Sequence, residues 1–168
     1  MSVYPIILNF PRSRATSIFP GSAGASLDTC GTNFLPRPKG TRPPLHYDTL
    51  ENLLPNSRRK SFLVISPEFH DHCYPVNEDW QDGYSQIDIK APDLAKFPRF
   101  AEVRAAEVIL GPGDLLYVPA RWWHSVQSLD VSISINQWFC TEAFAKAHAD
   151  KLYDPEAYGP TPIPSTNR

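Results

Sequence analysis

Residues Gly111–Phe139 read GPGDLLYVPARWWHSVQSLDVSISINQWF, and the fold turns on the periodicity of this stretch. Asp114–Pro119 is a short apolar and aromatic run that leaves the turn residues Gly111, Pro112 and Gly113 and stops at a proline. A strand bounded by turns has that form. Further on, Val131, Ile133 and Ile135 alternate with Ser132, Ser134 and Asn136. A period of two predicts a strand with one buried face. Between the two runs a single histidine, His124, follows two tryptophans. Taken alone it reads as a packed histidine, with Trp122 and Trp123 as core residues.

Outward from this stretch the pattern repeats. Ser61–Ser66 and Glu107–Leu110 are further short apolar runs closed by proline or glycine. Ala91–Glu102 predicts one or two short helical turns. The convincing helix is residues 141–153: Thr141 can cap it, Phe144, Ala147 or His148, and Leu152 share a side, and Asp154-Pro155 ends it. Many short strands punctuated by Gly and Pro predict a mainly β protein, a jelly-roll or double-stranded β-helix barrel with short helical insertions and a C-terminal helix. The expected layout is an irregular leader over residues 1–31, the barrel over 32–140, the helix over 141–153 and a Pro-rich tail over 154–168. Proline supports both irregular ends, with seven of its 18 residues before His46 and four after Asp154.

At 168 residues the chain has room for one domain with a core. A formal net charge of −2 argues against a nucleic-acid or anionic-membrane partner. Residues 1–44, with five Arg/Lys against one acid, are the exception, and read equally as solvated tail or contact surface. Cys30, Cys73 and Cys140 are an odd number without metal-type spacing, which fits a reducing compartment. No apolar run approaches the ~20 residues of a membrane span, and the first residues lack the order of a signal peptide. The expected setting is soluble, cytoplasmic or nuclear.

Upstream of the barrel strands, PPLHYD supplies His46 and Asp48. Residues two apart on a strand project from the same face, so imidazole and carboxylate can point together into a barrel mouth. His124, 76 residues after Asp48, would complete two nitrogens and one oxygen on one side of a metal. That is the ligand set of non-haem Fe(II) oxygenases, which leaves three positions open. His70, His72 and Cys73 form a second cluster, read as a surface excursion because no fourth ligand accompanies it.

With the motifs KGTRPPLHYD, APDLAKFPRF, GPGDLLYVPARWWH and SISINQWF in view, the chain resembles the JmjC and cupin-like 2-oxoglutarate oxygenases, particularly their small hydroxylase branch, over roughly residues 33–139. The resemblance implies Fe(II) on His46, Asp48 and His124, and 2-oxoglutarate with its distal carboxylate on Lys60. It places Asn52 and Asn136 along the cosubstrate pocket and Trp138 near the second histidine. It implies hydroxylation coupled to decarboxylation of 2-oxoglutarate to succinate, on a protein or peptide side chain, with a tRNA base as another substrate the family uses. A homodimer through the C-terminal helix is a further expectation.

Three departures weigh on that expectation. Pro43 stands where the family offers a hydroxyl to the cosubstrate, with Thr41 as a substitute if the backbone twists. Pro55 interrupts an expected strand, and relatives have a long region before the first histidine. These predict a slow or impaired enzyme. The rival is a cupin-like metal-binding or interaction module without productive cosubstrate binding.

Overall fold

The computed structural model of the chain describes residues 6–9, 27–76 and 83–141. It contains nine strands among these: β1 (Ile6–Asn9), β2 (Leu27–Arg37), β3 (His46–Tyr47), β4 (Glu51–Pro55), β5 (Lys60–Ile65), β6 (Ala105–Leu110), β7 (Asp114–Val118), β8 (Trp123–Ser128) and β9 (Ser132–Thr141). They form a five-stranded sheet, β1-β7-β4-β9-β2, and a four-stranded sheet, β3-β8-β5-β6. Every ladder is antiparallel. From β2 onward the chain changes sheet at each step except between β5 and β6. That alternation winds a jelly roll, the double-stranded β-helix expected from the strand pattern.

Turn chemistry explains the crossings. Between β6 and β7, Gly113 takes a φ of +93°, a conformation that costs little only without a Cβ. Asp114 Oδ2 accepts the Gly111 amide at 2.7 Å, and the Asn56 side chain and carbonyl bind Gly111 O and Gly113 N. Pro55 is the last residue of β4, and the pairing with β9 breaks there, between Leu53–Gln137 and the Asn56–Ser134 bridge, where its missing N–H is accommodated. Residues 1–31, expected to be irregular, contribute β1 and the start of β2. The predicted helix beyond Thr141, its dimer contact and the tail lie outside the described residues.

Two apolar clusters hold the sheets. Phe62, Val64 and Leu110 of the smaller sheet meet Leu116 and Val118 of the larger one, with Trp122 at their edge. On the other face of the smaller sheet, Leu45, Tyr47, Ile65 and Trp123 pack with Cys73 beneath two 3₁₀ helices, Pro67–Cys73 and Pro98–Glu102. This resolves the placement of His124. Trp122 fills the core between the sheets, Trp123 faces the outer cluster, and His124, one step on, faces inward.

The period of two in residues 131–136 leaves open which side is buried. Strand β9 has the expected period of two, but its apolar side is out: Val131, Ile133 and Ile135 are 74, 42 and 38% exposed, whereas Ser132 and Asn136 are 4 and 8% exposed. The interior at this point is a polar cavity rather than packed hydrocarbon. Phe34, 64% exposed and paired with Ile135, continues the outward apolar strip onto β2.

Candidate metal centre

His46 and His124 are direct cross-strand partners on β3 and β8, and Asp48 follows two residues after His46. Their candidate ligand atoms all lie within 4.8 Å of one another, the one such group among the described residues. The imidazole centroids are 4.3 Å apart, and His124 Nε2 is 3.7 Å from Asp48 Oδ2. Each histidine bonds through Nδ1 to a backbone carbonyl, His46 to Pro44 at 2.9 Å and His124 to Trp122 at 3.0 Å. A carbonyl only accepts, so Nδ1 carries the hydrogen in both rings and each Nε2 presents a lone pair. Two imidazole lone pairs and a carboxylate converging on one point are a donor set that fits a divalent metal.

Neighbouring bonds fix the carboxylate. Asn52, buried on β4, donates from Nδ2 to Asp48 Oδ2 at 2.7 Å. The Arg121 amide donates to the Asp48 carbonyl at 2.8 Å from a turn in which Arg121 has a φ of +66°. Tyr84 lies stacked against His46, centroids 5.6 Å apart. Its segment is clamped to β3 by Tyr47 N to Gly83 O at 2.8 Å, and a Cβ on Gly83 would meet the Tyr47 carbonyl oxygen at 2.8 Å. Gly83→Ala is therefore expected to destabilise the fold by about 1–3 kcal/mol, read from urea midpoints. An unchanged midpoint would show that this approach relaxes freely.

Burial, and then the charge of His46, push the His124 pKa from its ordinary 6.5 down to about 4, against the opposing pull of Asp48. His124 is thus neutral and ready to coordinate at neutral pH. Unfolding releases an ordinary histidine, so below pH 6.5 the unfolded chain takes a proton that the folded chain refuses. The contribution to metal-free stability is complete above pH 6.5 and is lost as pH falls toward about 4. His124→Gln should flatten the dependence of the urea midpoint on pH over that window; an identical slope in both proteins would contradict this assignment.

The three residues stand at one end of a cavity of about 420 Å³ that Thr41, Pro43, Asn52, Lys60, Asn136 and Trp138 also line. Lys60 is only 2% exposed, and its Nζ donates to Ser134 Oγ at 2.5 Å. Burial, then the nearby Arg37 charge, lower its pKa. None of the ion pairs among the described residues involves Lys60. Arg58 and Arg59 are exposed, Arg59 with Asp130 at 3.8 Å, so of the three adjacent cations only Lys60 turns inward. Asn52 Oδ1, Asn136 Oδ1 and Trp138 Nε1 are buried without a hydrogen-bond partner. Of these, Trp138 Nε1–H is a donor, and an unpaired donor in a cavity wall with a buried cation fits an anionic ligand.

The other cluster does not converge. His70 lies against the Tyr47 and Trp123 rings, while His72 Nε2 is 3.4 Å from Glu102. Cys73 is fully buried, with its thiol pushed up to about 12. Ser134 and Arg37 are cavity residues that sequence reasoning missed: Ser134 was read only as part of the alternation of β9, and Arg37 was counted only in the basic charge of residues 1–44.

A double-stranded β-helix with a His-x-Asp and distant His cluster opening on a cationic cavity defines the cupin-like metal-site class. The cupin-like domain family matches residues 15–144, and the chain belongs to the JmjC cupin-like family. It is 38% identical over 116 residues to lysine-specific demethylase 8 of Xenopus tropicalis, covering 68% of this chain and 26% of that protein. Over 107 residues it is 37% identical to lysine-specific demethylase JMJ30 of Arabidopsis thaliana, covering 63% and 25%. Over 104 residues it is 38% identical to HSPB1-associated protein 1 of Bos taurus, covering 59% and 22%. The chain thus spans about a quarter of the length of the curated relatives it matches. Among the described residues no helix is long and apolar enough to cross a membrane.

Proposed function

We propose that the chain is an Fe(II)- and 2-oxoglutarate-dependent oxygenase that hydroxylates a C–H bond of a protein side chain. The observation that carries this reading is the convergence of His46, Asp48 and His124 at a cavity that also contains buried Lys60. His46 and His124 through Nε2, with the Asp48 carboxylate, would hold the iron. Fe(II) bound there would supply oxygen activation coupled to decarboxylation of 2-oxoglutarate to succinate and CO₂. The residues of the chain position the parts. Asn52 orients the Asp48 carboxylate, the Pro44 and Trp122 carbonyls keep both Nε2 atoms free, and Lys60 with Ser134 draws the distal carboxylate to the far end of the cavity. Trp138 Nε1–H offers an unpaired donor to the cosubstrate, with Asn52 and Asn136 lining the same pocket.

A protein substrate agrees with the relatives, two of which are named lysine-specific demethylases and one HSPB1-associated. Removal of a lysine N-methyl group starts with hydroxylation of that methyl, so demethylase and side-chain hydroxylase are one chemistry on different C–H bonds. A cytoplasmic or nuclear setting is part of this proposal.

One observation favours a binding module instead. Pro43 lines the cavity, and its carbonyl is taken by Ser125 Oγ at 3.0 Å, so position 43 itself offers no hydroxyl. A lost hydrogen bond to a charged group costs about ten- to a hundredfold in affinity. The enzyme is therefore expected to be slow, with succinate formed at millimolar 2-oxoglutarate, abolished by His46→Ala and raised by Pro43→Thr. Succinate formation equal to the His46→Ala control, with iron shown to be bound, would leave the module.

A further inference from the structure

Lys60 has company. Arg37, the last residue of β2, lines the same cavity together with Thr41, Ser128 and Ser134. Register explains its direction. Arg37 pairs with Ser132, a buried residue on the inward side of β9, while Phe34 and Pro36 on β2 pair with the outward Ile135 and Ile133. Arg37 makes no ion pair and no side-chain hydrogen bond with another described residue. The one acid among the residues lining the cavity is Asp48, at the metal end. Two cations without a carboxylate therefore border one end of a partly enclosed space, with serine and threonine hydroxyls between them. Their mutual repulsion is visible in the lowering of the Lys60 pKa, for which Arg37 is the second cause after burial. Like charges held together without a counter-ion are costly, and an anion between them relieves the cost.

We propose that Arg37 is a second carboxylate-binding cation of the cavity, acting with Lys60 on the distal carboxylate of 2-oxoglutarate and making the site selective for a dicarboxylate. The inference rests on the oxygenase reading, and it adds what the wall at Pro43 lacks. A guanidinium presents a planar fork of donors to a carboxylate, whereas the Lys60 ammonium offers a single charged point. Together they would hold the far end of the cosubstrate even with no hydroxyl at position 43.

The test is anaerobic binding of 2-oxoglutarate to the Fe(II)-loaded protein, followed by fluorescence, since Trp138 lines the cavity. The control ligand is 2-oxopentanoate, which has the same five-carbon 2-oxo acid chain without the distal carboxylate. Arg37→Ala is expected to weaken 2-oxoglutarate binding about ten- to a hundredfold, leave 2-oxopentanoate and Fe(II) binding unchanged, and be partly rescued by Arg37→Lys. A purely structural role for Arg37 would weaken both ligands alike and overturn the inference. Arg37 also borders a shallow outer depression with Arg58, Val131 and Ile133. A side chain committed to that surface would leave 2-oxoglutarate affinity intact in Arg37→Ala while Lys60→Ala loses it, which overturns the inference and spares the oxygenase reading. Failure of the wild type to bind 2-oxoglutarate would overturn both.

Discussion

Asp48→Ala is expected to lower Fe(II) affinity by more than about a hundredfold, beyond the loss typical of removing a group that merely orients a ligand. The reason is local. Asp48 brings the one carboxylate of the group, and without it two imidazoles remain to hold a dication that favours a charged oxygen donor. Asn52→Ala supplies the graded control, because it removes only the 2.7 Å bond that orients the carboxylate, and should cost about ten- to a hundredfold. Equilibrium dialysis reads both. Stoichiometric iron in Asp48→Ala and in His124→Ala would show that these residues do not bind the metal.

The second large effect concerns Lys60 and has two signs. Lys60→Met keeps an unbranched stem in the cavity but removes the charge, so 2-oxoglutarate binding should weaken about ten- to a hundredfold or more with Fe(II) binding unchanged. The same variant is expected to raise the stability of the metal-free protein. An ammonium that is 2% exposed, with a serine hydroxyl as its partner and Arg37 nearby, is held at a cost, and an apolar side chain of similar volume relieves it. Stability sacrificed for a charge marks a binding position rather than a packing one. Arg58→Ala and Arg59→Ala should change neither quantity, since both side chains are exposed. A lower urea midpoint in Lys60→Met, or loss of 2-oxoglutarate binding in Arg58→Ala, would contradict this placement.

How much of this was legible in the sequence depends on the range of the forces involved. The spacing of His46 and Asp48 could be read because strand alternation is a local rule, and it places side chains two residues apart on one face. His124 could be tied to them only through a family resemblance, since nothing local tells β8 that it will lie against β3. Lys60 was separable from Arg58 and Arg59 on the same ground. The buried face of β9 was left open by the alternation, which reports period and not direction. The interior here is a polar cavity that takes Ser132, Ser134 and Asn136, while Val131, Ile133 and Ile135 face out. Ser134 and, through the pairing of β2 with β9, Arg37 follow from that direction and not from the period. The strand at Ile6–Asn9 escaped for another reason: its partner, β7, lies a hundred residues further along the chain.

The central claim is that the His46, Asp48 and His124 cluster and the cationic cavity act as one site, with iron and 2-oxoglutarate bound side by side. Anaerobic titration of the purified protein with Fe(II) and then 2-oxoglutarate, monitored by visible absorption, tests this directly. A charge-transfer band that saturates at one equivalent of iron, needs both components and disappears in His124→Ala is the expected result. A protein that binds Fe(II) at the cluster yet develops no band at saturating 2-oxoglutarate would contradict it.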